Sequence, residues 1–76
     1  MALKKKSFSL SGHRTSVALE EEFWAVLEQE AARARQSLAG FVADIDKSRG
    51  IRPLASALRL TALAAAAHRP WTADNT

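Results

Sequence analysis

Lys4, Lys5, Lys6 and Arg14 are the residues of this chain most open to a chemical reading. Residues 1–19 contain no acidic side chain, and Glu20, Glu21 and Glu22 then follow as a block. Four cations without a nearby anion create a local positive field. On a small domain such a field pairs with a polyanion, either nucleic acid or an anionic membrane surface. The formal net charge of +3 understates that asymmetry. The plain alternative is a solvated tail that aids solubility.

Other chemistry is sparse. The chain has two histidines, His13 and His68, with no cysteine, no tyrosine and no glycine-rich phosphate loop. Asp44 and Asp46 are two apart on an expected helix, so they point to different faces and form no acid–base pair. They read as ordinary solvated carboxylates. No third ligand type clusters with either histidine, so a metal site is not expected. No catalytic residue and no cofactor is assigned, and the chain reads as a non-enzyme.

Those cations need a scaffold, and the chain has little material for one. Seventy-six residues make one domain, of a size that buries only about 60% of its unfolded surface. The apolar fraction is 47%, yet 16 of those residues are alanine, so the larger side chains are few. Without cysteine there is no disulfide to compensate, and oligomerisation is the remaining common means of stabilising such a chain. No apolar run approaches the roughly 18 residues that span a bilayer. The lysine triplet is not followed by the apolar segment of a signal peptide. A cytoplasmic location is expected.

The stretch "HRTSVALEEEFW" joins two periodicities without a connector. Residues 14–19 alternate, with Thr15, Val17 and Leu19 on one side and Arg14, Ser16 and Ala18 on the other, which predicts a strand. Residues 7–10 alternate too, and "SGH" between them suits a turn because Gly12 tolerates positive φ. The two segments could pair within the chain or with another chain. From Glu20 the spacing of Phe23, Val26, Leu27, Ala31 and Ala34 becomes helical, predicting a helix over 20–35. Its three glutamates stand in the first turn, Arg33 and Arg35 in the last, and Trp24 at the edge of the apolar stripe.

Ser37 is a candidate N-cap for a second helix over 37–49, whose stripe is Leu38, Phe41, Val42 and Ile45, with Gly50 at the C′ position. A third helix runs from Pro53 to about His68. Its Leu54, Leu58 and Ala65 lie opposite Leu60, Leu63 and Ala67. A helix apolar on both sides requires cover from more than one direction, and a second subunit is the natural cover. The tail at 69–76 lacks periodicity and is expected to be loose. The organisation is then a basic arm at 1–6, a folded domain at 7–68 and that tail.

A short strand that enters a helix directly, followed by a second helix capped by Ser37, resembles the ribbon-helix-helix DNA-binding proteins of the Arc and MetJ type. "TSVALEEEFW" stands where that family has its strand and first-helix entry, and "RQSLAGFVADI" where it has the loop and second helix. The linked phrases "GHRTSVALEEEFW", "SLAGFVADIDKSRG" and "LASALRL" look like a bacterial branch with an N-terminal extension and an added C-terminal helix. "LASALRL" is itself similar to a ribbon-helix-helix second helix, so the 53–68 segment is an alternative for that role.

The resemblance implies a mainly α fold with a short N-terminal β element, built as an intertwined homodimer, with a higher oligomer as an open alternative. It implies double-stranded DNA as partner, the paired strands entering the major groove. Arg14 and Ser16 would then face base edges, and Ala18 would be a weaker third contact. Lys4, Lys5 and Lys6 would contact phosphates, as would the amides of Ser37 and Leu38 at a helix N-terminus. The implied function is a transcriptional regulator. The alternative from another class is a helical interaction module, adaptor or antitoxin-like, with a protein partner at Trp24, Trp71 and the third helix. The expected core is Val17, Leu19, Phe23, Val26, Leu27, Leu38, Phe41, Val42, Ile45, Leu54 and Leu58.

Overall fold

A two-residue turn organises the N-terminal third. In the computed structural model, which describes residues 2–68, Ser11 (φ 52°) and Gly12 (φ 81°) both take positive φ. That pair of dihedrals is a type I′ turn, whose twist matches that of flanking antiparallel strands. The strands it joins are β1 (Leu3–Leu10) and β2 (His13–Glu20), paired without a bulge from Leu10↔His13 to Leu3↔Glu20. The pairing left open by the sequence is therefore made within the chain. It also reaches further than the alternation suggests, so Lys4, Lys5 and Lys6 are strand residues rather than a free arm.

Glu20 ends β2 in an extended conformation (φ −60°, ψ 146°) and is the N-cap of α1 (Glu21–Arg33), without a side-chain capping bond. Only Glu21 and Glu22 occupy the first turn. The helix stops two residues before the expected end. Gln36 N–H donates to Ala31 O at 2.9 Å and Arg35 N–H to Ala32 O at 3.0 Å, with Arg35 at φ 59°. This is a Schellman closure with arginine where glycine is usual. Then α2 (Leu38–Ser48) begins at its Ser37 cap, whose Oγ accepts from Gly40 N–H at 3.0 Å. A Cβ on Gly40 would lie 3.3 Å from that Oγ, so glycine leaves the cap room. Gly50 (φ 64°) follows α2, and α3 (Leu54–His68) completes the described chain. The tail at 69–76, with Trp71, lies outside the described residues.

One face of the hairpin lies on the helices. Phe8 and Leu10 from β1, Val17 and Leu19 from β2, Leu27 from α1, Val42 from α2 and Leu54 and Leu58 from α3 are buried together. Leu19, Leu27, Val42 and Leu58 are fully enclosed. Trp24 differs from expectation. It is 2% exposed, its ring is tilted against Phe8 at 5.9 Å, and its Nε1–H donates to Lys4 O at 2.8 Å. The inner line of α1 is Trp24, Leu27 and Ala31, which leaves Phe23 and Val26 on the flank. Phe23, Val26, Leu38, Phe41 and Ile45, all expected in the core, are only partly buried against it. In α3, Leu54, Ala57, Leu58 and Ala62 face inward, whereas Leu60 and Leu63 stay exposed.

Candidate nucleic-acid interface

The outer face of the hairpin follows from its register. Side chains alternate across a strand, and with Phe8, Leu10, Val17 and Leu19 buried, the opposite positions face away from the helices. They are Leu3, Lys5, Ser7 and Ser9 on β1, and Arg14, Ser16, Ala18 and Glu20 on β2. Across the strands they pair as Leu3↔Glu20, Lys5↔Ala18, Ser7↔Ser16 and Ser9↔Arg14. All are exposed except Ala18 and Glu20, which are half-buried. Ser7 Oγ and Ser16 Oγ are 2.9 Å apart and share a hydrogen bond. From Lys5 to the turn the surface is donor-rich, with Lys5 and Arg14 at diagonal positions and no carboxylate between them.

The free edge of β2 is set by the turn. A two-residue loop closes on a hydrogen-bonded pair, here Leu10 and His13, and such pairs then alternate along an antiparallel ladder. The N–H and C=O groups of Arg14, Ser16 and Ala18 consequently point away from β1, toward an open edge. Residues that present side chains on the outer face also present backbone on that edge.

The three lysines do not act alike. Lys5 joins the outer face, whereas Lys4 and Lys6 share the helix side with Trp24 and Glu28. Lys6 Nζ lies 3.5 Å from Glu28 Oε2 and 5.8 Å from the centre of the Trp24 ring. In the sequence, Lys5, Ser7 and Ser9 do not stand out as a face. The signal is present in the alternation of "KSFSL", because a two-residue turn fixes which β1 residue meets which β2 residue. Ser37 and Leu38 sit at the N-terminus of α2, a separate element, with the Ser37 hydroxyl engaged by Gly40.

The strand-to-helix junction is held electrostatically. Arg59 of α3 bonds Glu20 Oε1 through Nη2 at 3.0 Å and Nε at 3.2 Å, and its guanidinium lies over Phe23 at 5.8 Å. The Glu20 carboxyl is held below the usual glutamate range, first by its own backbone N–H and then by Arg59.

The chain matches the family model described as a ribbon-helix-helix domain over residues 3–66. It belongs to the ribbon-helix-helix family. Ribbon-helix-helix domains are typically DNA-binding transcription regulators. The match includes β1 and nearly all of α3, so both are parts of the domain. No curated protein and no solved structure matches the chain.

Elsewhere among the described residues several polar groups are occupied structurally. Between α2 and α3 an open depression is lined by Ile45, Arg49, Arg52, Leu60 and Thr61 among others. Its Arg49 bonds Asp46 Oδ1 at 2.6 Å and Arg52 O at 2.7 Å. Asp44 Oδ2 accepts from Gln36 Nε2 at 2.7 Å. Asp44 and Asp46, expected to be merely solvated, are thus tied to the helix ends. Among the described residues no group of acidic or histidine side chains could hold a metal ion, and no helix is long and apolar enough to cross a membrane.

Proposed function

We propose that this ribbon-helix-helix chain is a sequence-specific DNA-binding regulator that works as a homodimer joined along β2. The observation that carries this reading is the coincidence on β2 of an open backbone edge at Arg14, Ser16 and Ala18 with an exposed polar face at Arg14 and Ser16. Antiparallel pairing of two such edges satisfies the unpaired groups, which an exposed strand otherwise offers to any passing chain. It also brings two copies of Arg14 and Ser16 onto one surface. The major groove admits a two-stranded ribbon, and a guanidinium can bond guanine O6 and N7 together. Ala18 suits apolar contact with a thymine methyl. The half-buried Phe23, Val26, Phe41 and Ile45 support a second copy packed against the helices. The amides of Ser37 and Leu38 are helix N-terminal donors suited to a phosphate. We place that role in the cytoplasm of a bacterium.

A second reading, a protein-docking module, keeps one observation in its favour. Leu60 and Leu63 stand 45% and 62% exposed on the outer side of α3. It loses Trp24, which is core. Selection of bound fragments from a random duplex pool, followed by titration at physiological salt, tests the two. DNA regulation requires an enriched sequence and a saturable complex, and a docking module yields neither.

A further inference from the structure

We propose that β1 is a flanking strand that rests on the phosphate walls beside the groove, with Lys5 as the phosphate ligand among the three lysines. This rests on the β2-paired dimer above. Joined along β2, two copies form a sheet ordered β1-β2-β2-β1, because each β2 already holds its own β1 on the other edge. Strands in a sheet lie about 4.8 Å apart, so the two β1 axes stand roughly 14 Å from one another across three such spacings. The major groove is only about 12 Å wide. The inner pair can enter it, and the outer pair must lie over its rims, where the phosphates are.

The side chains agree with that placement. Beyond the exposed Leu3 at its start, the outer face of β1 carries a cation and two hydroxyls, at Lys5, Ser7 and Ser9, all donors suited to phosphate oxygens. The acidic residue of this face, Glu20 opposite Leu3, is already paired with Arg59. Ser7 shares its hydroxyl bond with Ser16, so the flanking strand also fixes the rotamer of a base-facing side chain. Lys4 and Lys6 lie on the helix side of the same strand, with Lys6 engaged by Glu28 and Trp24. They are turned away from the DNA.

The experiment is a salt titration of the intact protein on its selected duplex and on a scrambled one. Each dimer carries two Lys5 side chains, and each phosphate contact contributes about 0.9 to the slope of log affinity against log salt. Lys5→Ala should lower that slope by about 1.8 on both duplexes and leave their affinity ratio unchanged. Lys5→Arg should retain the slope, and Lys4→Ala and Lys6→Ala should leave it unaltered. An unchanged slope in Lys5→Ala, or an equal loss in the Lys4 and Lys6 variants, overturns the assignment while specific binding by the wild type stands. A wild type that forms no saturable complex overturns this proposal together with the reading beneath it.

Discussion

Arg59 reaches across 39 residues of sequence to grip one carboxylate oxygen of Glu20, at 3.0 Å from Nη2 and 3.2 Å from Nε. Glu20 is both the last residue of β2 and the N-cap of α1. The pair therefore fastens the third helix to the point where strand becomes helix. Phe23, under the same guanidinium, adds an apolar contact to the charged one.

A pH dependence follows from this pair. The folded carboxyl lies below its ordinary value of 4.5, first through its own backbone N–H and then through Arg59. A depressed carboxylate stabilises the fold above the unfolded value, and that contribution is lost as pH falls through the folded value. Wild type should exceed Glu20→Gln in urea midpoint at neutral pH, with the gap closing below about 4.5. Partial exposure keeps the gap small. A gap that is the same at neutral and acidic pH would remove the carboxylate from the account.

The register of β2 makes an asymmetric prediction. Leu19 is fully enclosed, so Leu19→Ala should cost about 2–5 kcal/mol. Ser16 stands on the outer face, and Ser16→Ala should stay within about 0.5 kcal/mol. Chemical denaturation of both variants checks this, because a one-residue slip would exchange their costs.

The two periodicities that locate these residues are legible in the sequence itself. Alternation separates Arg14, Ser16 and Ala18 from Val17 and Leu19, and the helical stripe of Leu38 and Val42 with its Ser37 cap places α2. What is not legible depends on long-range partners. Trp24 stands next to Phe23 in sequence, and it is partners on β1, the carbonyl of Lys4 (20 residues earlier) and the ring of Phe8, that hold its indole inward. Lys4 to Lys6 look equivalent as a triplet, and strand pairing alone divides them between two faces. The end of α1 falls short of the expected one because Arg35 continues the charge pattern of the helix while its backbone has already turned left-handed.

That left-handed arginine and the turn glycine predict opposite outcomes. Arg35 sits at φ 59°, a conformation that costs a side-chain-bearing residue roughly 1–2 kcal/mol. Arg35→Gly should therefore stabilise the protein by about 1 kcal/mol. Gly12 sits at φ 81° with nothing within 4 Å of the place a Cβ would take, so space is not the constraint. Gly12→Ala should still destabilise by about 1 kcal/mol, through the backbone alone. Urea melts of the two variants should move to either side of wild type.

Association should appear as concentration dependence. If a second copy covers the β2 edge and the flank formed by Phe23, Val26, Phe41 and Ile45, mass action makes the melting temperature fall on dilution. Sedimentation and thermal melts over micromolar to nanomolar protein measure both quantities. A monomer whose melting point ignores concentration would leave the ribbon without its second strand.

The last prediction separates reading a sequence from holding DNA. Arg14 occupies the outer face beside the open edge, at the turn end of β2. There its guanidinium can form a bidentate contact to guanine, which contributes about 1–3 kcal/mol of discrimination. Each dimer carries two Arg14 side chains, so Arg14→Ala should reduce the preference for the selected duplex over a scrambled one by about 30-fold or more, since about 1.4 kcal/mol corresponds to tenfold. Binding to the scrambled duplex should change far less, because phosphate contacts from other side chains remain. Paired titrations at one fixed salt concentration measure the ratio directly. Equal weakening on both duplexes would make Arg14 a phosphate ligand and move base recognition away from this end of the strand.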